Sequence, residues 1–180
     1  GWADAVTDWR EQVADERVQL FDNGGPNAVH AEPCIEAARN GKHVLCEKPL
    51  GLSAEESHRM WQEAEQAGVE HMCGFNYRFV PAVRLVRELL DSGELGEIVH
   101  FRARYLQSWG WDADESAWRF DPARAGTGAL GDLGTHIVAV LADERVHARI
   151  IDVIGDQHDR AGPHLGLERA CGIGEDERFD

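Results

Sequence analysis

Lysine is nearly absent from this chain. Of 18 basic residues only Lys42 and Lys48 are lysines. Positive charge as a whole is short: 33 Asp plus Glu give a formal net charge of −15. Such a surface repels phosphates, which excludes nucleic acid as an expected partner. Excess acid with scarce lysine fits a salt-rich cytoplasm or a GC-rich genome, and acidic drift with codon bias accounts for it equally well. Long apolar runs are missing, and no basic-then-apolar leader opens the chain, so the expectation is a cytoplasmic protein without a membrane partner. Cysteine is limited to Cys34, Cys46, Cys73 and Cys171, with no C-x-x-C spacing. That pattern excludes a zinc knuckle and a thioredoxin-type motif, and free buried thiols are expected.

What is present suits a soluble globular chain. Hydrophobic residues make up 43% and charged residues 28% of 180 positions, enough for one good core or two small ones. The first half alternates strand and helix signals. Val18–Asp22 is a short apolar run, broken by "NGGPN". Helical spacing then runs from Asn27 to Arg39, with Gly41 as its C-cap. "HVLC" reads as a strand that ends abruptly in the charged "EKP". Ser53 and Glu56 make a capping box for a helix to about Ala67, ended by Gly68. "VEHMCGF" reads as a further strand. Strands separated by helices of ~10–15 residues pair in parallel through right-handed crossovers, as in a doubly wound sheet. Ligands gather at the carboxyl ends of such strands, where "NGGPN" and "EKP" both lie.

The pattern changes near residue 75. Pro81 to Asp91 reads as a helix. "GEIVHFRARYLQ" alternates, with Ile98, His100, Arg102 and Arg104 on one face and Val99, Phe101, Ala103 and Tyr105 on the other. This is a strand covered on one side, expected to pair antiparallel. Residues 108–125 are aromatic and irregular, and "GTGALGDLGTHIVAVLA" reads as a glycine loop feeding a helix. "IIDVIG" reads as a strand, and beyond Gly155 the tail has no clear period.

Three short motifs stand in order: "GPNAVH", "EKP" and "GDLGTH". Each alone has a bland account. Asn27 caps a helix, His30 satisfies a core, and Glu47 with Lys48 forms an exposed turn pair of little energetic weight. Asp132 and His136, four apart, share one helix face and can hydrogen-bond. A metal site is not expected, because no third ligand has the right spacing.

Together and in this order, "GPNAVHAE", "GKHVLCEKPL", "GFNYRFVPAV", "SGELGEIVHFRA", "WRFDPARAGTGAL" and "GDLGTH" resemble the Gfo/Idh/MocA family of NAD(P)-dependent oxidoreductases, over about residues 7 to 140. The resemblance implies an α/β fold: a partial Rossmann-like doubly wound parallel sheet over residues 1–75, then a partial α+β substrate and oligomerisation domain over 76–142 with a mainly antiparallel sheet. Residues 143–180 form a divergent tail. It implies NAD or NADP as cofactor, a sugar or polyol as substrate, and a hydride passed between nicotinamide and a secondary alcohol or carbonyl. Self-association through the open face of the second sheet is the family's habit.

Residue roles follow from the chemistry and the resemblance together. Hydride leaves an alcohol carbon only as the hydroxyl proton is taken, and His136 is the candidate base. Lys48 can stabilise the charge developing on the reacting oxygen. Asp132 binds a substrate hydroxyl or orients the imidazole. On the cofactor side the resemblance places Pro26, Asn27, His30, Glu47, Lys48, Asn76 and Arg119. On the substrate side it places Tyr77, Arg78 and Trp118 beside Lys48, Asp132 and His136.

The chain also departs from the family. No G-x-G-x-x-G precedes the first strand, so the first βαβ unit and its ribose-reading acid are expected to be missing. Gly24-Gly25-Pro26 has the wrong spacing to replace it. Ala139 stands where the family carries Asp, and resemblance ends at about Ala142. These departures suggest truncation at both ends. They leave two readings: an oxidoreductase with its catalytic motifs intact, or a non-catalytic remnant serving as a partner-dependent binding module.

Overall fold

The computed structural model describes residues 4–110, 114, 116–141 and 150–156. Helix α1 (Trp9–Ala14) begins at Asp8, whose carboxylate accepts from the Arg10 amide. Strand β1 (Leu20–Asn23), helix α2 (Ala31–Arg39), strand β2 (His43–Cys46), helix α3 (Ala54–Ala67) and strand β3 (His71–Cys73) follow. The strands pair in parallel in the order β1-β2-β3, with Phe21 opposite Val44 and Cys46 opposite Cys73. The local signals place the ends well. Ser53 accepts from the Glu56 amide, and Gly68 ends α3 at φ 66°, a left-handed conformation that costs glycine nothing. The Glu56 carboxylate reaches back to the Leu52 amide at 2.6 Å. One boundary differs from expectation: Asn27–Val29 is a separate 3-10 turn, and α2 begins only at Ala31.

Burial explains this layering. Phe21 and Asn23 of β1 and Val44 and Cys46 of β2 are buried, while Leu20, Asp22 and His43 are exposed. The buried face packs on Cys34, Ile35, Ala37 and Ala38 of α2, Met60 and Ala64 of α3, and Val13 of α1. Among the described residues the helices therefore cover one face of this sheet. Burying side chains such as Phe21, Ile35 and Met60 contributes about 1.5–3 kcal/mol each. Cys34, Cys46 and Cys73 are free thiols; Cys171 lies outside the described residues. No helix among them is long and apolar enough to cross a membrane.

The second half contributes a 3-10 turn (Asn76–Phe79), α4 (Pro81–Asp91), β4 (His100–Leu106), a 3-10 turn (Trp118–Phe120), α5 (Pro122–Ala125), a π-helical turn (Leu130–Gly134), α6 (Thr135–Leu141) and β5 (Ile150–Asp156). β4 alternates as its sequence does, with Phe101, Ala103 and Tyr105 half-buried and His100, Arg102 and Arg104 exposed. Its described partner β5 runs parallel to it, not antiparallel as expected. Alternation reports that one face is covered and carries no information on strand direction. Direction is set by the connection, and a parallel pair needs a long crossover, here containing α5, the π turn and α6.

The π turn depends on Gly131. A Cβ there would collide with the Thr127 hydroxyl. Gly131→Ala is expected to destabilise by about 1–3 kcal/mol, read as a lowered melting temperature. Adding Thr127→Ala should restore most of the loss, and no recovery would refute the steric cause.

Candidate active site

Lys48 lies two residues past the end of β2, whose buried Val44 and Cys46 anchor the strand in the sheet. The Lys48–Pro49 peptide is cis. The Lys48 ammonium donates to Asp132 twice, at 2.5 Å to Oδ1 and 2.8 Å to the backbone carbonyl. The two side chains are only 14% and 19% exposed, so the pair is largely withdrawn from water and its hydrogen bonds are charge-assisted. Asp132 sits on the π turn that runs straight into α6, where His136 follows. Asp132 and His136 both line the same cavity. The turn that carries Asp132 is π rather than α, a distortion frequent at functional sites.

His136 is 8% exposed and ringed by aromatic edges. Its ring meets Tyr77 at 4.8 Å, Tyr105 at 5.8 Å and Phe75 at 6.2 Å between centroids. Its Nδ1 is buried with no hydrogen-bond partner among the described residues. Burial, and then the Lys48 charge, hold its pKa below the ordinary 6.5, while Asp132 and Glu47 pull the other way. Near neutral pH the ring is therefore held in its neutral, proton-accepting form.

The opposite wall is polar and ordered. Trp109 Nε1 donates to Gln107 Oε1 at 2.5 Å, and Gln107 Nε2 donates to the Tyr105 hydroxyl at 2.7 Å. The Tyr105 and Tyr77 hydroxyls bond at 2.8 Å. Burial and the Tyr77 bond push the Tyr105 phenol up to about 12, so it stays protonated. The Arg119 guanidinium lies 4.4 Å over the Trp118 ring and 5.5 Å over Trp109, with Nε 3.8 Å from Asp132 Oδ2. These groups enclose about 360 Å³, the size of a small-molecule site. Sequence reasoning missed Tyr105, Gln107 and Trp109 as site residues. A signal was present: Tyr105 lies on the half-buried face of β4, and Gln107 and Trp109 follow it at the same spacing past the strand's end.

Other candidates fall elsewhere. Glu47 is exposed beside the site; its carboxylate accepts from the Lys48 amide at 3.1 Å and packs where a Cβ on Gly74 would stand. Pro26 is half-buried, and Asn76 is exposed on its 3-10 turn. Trp118 supports Arg119 without lining the cavity. Arg78 lines a different groove, between α4 and α6, and is not a wall of the Lys48 cavity. Asn27 and His30 turn inward. Asn27 is 5% exposed and His30 fully buried, and both side chains bond to backbone carbonyls.

A nicotinamide group fits the rim in part. The carboxyl ends of β1 and β2 open side by side, the space above Gly24 is clear, and the exposed Glu47 carboxylate stands next to Lys48. The donor set there is a carboxylate, an ammonium and loop amides.

Comparison with known proteins shows the family and the fold. Residues 2–75 match the model "Oxidoreductase family, NAD-binding Rossmann fold", and residues 83–143 match "GFO/IDH/MocA C-terminal domain". The chain is 42% identical over 139 residues to levoglucosan dehydrogenase of Pseudarthrobacter phenanthrenivorans, covering 77% of this chain and 36% of that protein. It is 36% identical over 114 residues to glucose-6-phosphate 3-dehydrogenase of Bacillus subtilis, covering 63% and 33%. It is 38% identical over 145 residues to D-xylose 1-dehydrogenase (NADP(+)) 2 of Haloferax volcanii, covering 78% and 43%. The chain thus spans well under half the length of these relatives. A solved structure of levoglucosan dehydrogenase in complex with NADH and levoglucosan superposes with a TM-score of 0.72, covering 76% of this chain and 37% of that one. Motifs and fold agree, and the chain belongs to the Gfo/Idh/MocA family of oxidoreductases.

Proposed function

We propose that this chain carries the catalytic face of an oxidoreductase that passes a hydride between a nicotinamide cofactor and a secondary alcohol or carbonyl of a sugar or polyol. The observation that carries this reading is the convergence of Lys48, Asp132 and His136 on one cavity at the carboxyl end of β2. The relatives named above act on sugars, which supports that substrate class. NAD or NADP supplies or accepts the hydride when bound, with Glu47, Pro26 and Lys48 of this chain at its nicotinamide end.

The residues divide the work. His136, neutral near pH 7, takes the substrate hydroxyl proton. Lys48 donates to the oxygen as charge builds on it. Asp132 holds the ammonium in place and accepts from a neighbouring hydroxyl. Trp109 offers an apolar face to a sugar ring, and Gln107 and Arg119 offer donors around it. Residues 1–75 serve the cofactor side and 76–142 the substrate side, with the matched family segments in support.

The test mixes the chain with NAD or NADP and, separately, levoglucosan, D-xylose or glucose 6-phosphate, and follows the absorbance of reduced nicotinamide. Steady formation with one sugar supports the reading. Nicotinamide binding without turnover on any sugar or polyol would favour the binding-module alternative. Absence of both would overturn the reading for this chain.

A further inference from the structure

Three polar side chains are buried in and beside the loop after β1. Asn23 is 8% exposed, Asn27 5% and His30 0%. Burying such groups costs free energy unless each is paired, and apolar residues would fill the space more cheaply. Their partners show what is gained. Asn23 shapes the loop itself: its amide donates to the Val29 carbonyl at 3.0 Å, and its Oδ1 accepts from the Gly25 amide at 3.1 Å. Gly25 is required there, since a Cβ would stand 2.8 Å from Val29 Cγ2. The other two reach out of the loop. The His30 ring lies between two carbonyl oxygens, with Nε2 2.8 Å from Gly25 O and Nδ1 2.9 Å from Pro49 O. Asn27 Nδ2 donates to the Ala125 carbonyl at 2.8 Å, a partner 98 positions away.

Both outside partners sit close in sequence to cavity cations. Pro49 is bonded directly to Lys48. Ala125 ends α5, the short helix that follows the Trp118–Phe120 turn carrying Arg119. We propose that the Gly24–His30 loop is the positioning element of the cavity: His30, through Pro49, fixes the approach of Lys48, and Asn27, through Ala125, fixes the segment that presents Arg119. The proposal rests on the reading of Lys48 and Arg119 as substrate-cavity groups. It assigns Asn27 and His30 no contact with substrate or cofactor. Each acts through one backbone carbonyl, so the two cations share a single reference point at the end of β1.

The test uses the full chain, with His136 as reporter. The charged groups facing its ring are Lys48, Asp132 and Glu47, with the Tyr77 and Tyr105 phenols beside it. Lys48 lowers the His136 midpoint, so an ammonium that drifts away lets it rise. In His30→Phe, which keeps a ring and loses its N–H donor, the NMR titration midpoint of His136 should rise by roughly 0.5 pH unit. His30→Asn, which keeps one donor, should show a smaller rise. In Asn27→Ser, amide exchange across residues 118–126 should accelerate about tenfold or more while β2 amides keep their protection. In the unmodified chain His30 should show a ring N–H protected from exchange. A merely structural role would lower the melting temperature and leave the His136 midpoint of the folded protein where it was. An unchanged midpoint in folded His30→Phe, or no protected ring N–H in the unmodified chain, overturns the proposal. None of these readouts needs turnover, so a failed dehydrogenase assay alongside them would count against the proposed function and not against the positioning role.

Discussion

Lys48→Ala is expected to lower the proposed nicotinamide-dependent turnover by about 10²–10³-fold, with a much smaller change in KM. The reason lies in where charge develops. As the alcohol proton leaves, the substrate oxygen becomes more negative, and an ammonium fixed beside it stabilises that state more than the ground state. Lys48 is held for this purpose, since Asp132 grips it with both a carboxylate oxygen and a backbone carbonyl. Arginine should not replace it. An ammonium that meets both acceptors keeps a third N–H for the substrate oxygen, whereas a terminal guanidinium nitrogen has only two, so Lys48→Arg should remain impaired. Steady-state kinetics with a melting curve for each variant separates lost chemistry from lost fold. Near-normal kcat in a folded Lys48→Ala protein would remove the ammonium from the mechanism.

The second large effect is expected at His136. His136→Ala should cost about 10²–10⁴-fold in turnover by removing the base. The pH dependence tests the assignment more sharply. Burial and Lys48 hold the His136 pKa below 6.5, so the acid limb of kcat/KM should fall below that value. Asp132 and Glu47 raise it, so Glu47→Gln should move the limb further down, and an upward movement would contradict the electrostatic account. Stability follows with the same sign. A depressed folded-state value means the unfolded ring binds protons more readily, so this contribution is present above pH 6.5 and lost as pH falls below it. A limb at or above 6.5 would point to another base.

Local structure was largely legible. The capping box at Ser53, the glycine that ends α3 and the bounds of α4 and β2 all follow from short-range hydrogen bonds and burial periodicity, which neighbouring residues encode. The placement of Lys48 near a strand end and the pair Asp132 and His136 were legible for the same reason. Other placements show where that reach ends. Arg78 lines the groove between α4 and α6 and not the Lys48 cavity, a placement set by how those helices pack. Gln107 and Trp109 were passed over because they lie just beyond β4, although they follow Tyr105 at the same spacing.

By itself, then, the sequence determined the order of strands and helices, the family motifs and the residue types from which a site could be made. Periodicity, caps and turn residues act over a few positions, and those features need nothing more. Only the tertiary structure decided that Lys48 bonds Asp132, 84 positions away, that β4 and β5 run parallel, and that Asn27 and His30 face inward onto carbonyls instead of outward. The physical reason is that a side chain's partner across such a separation is chosen by how layers pack and which buried polar groups remain to be satisfied, and no local pattern records that choice.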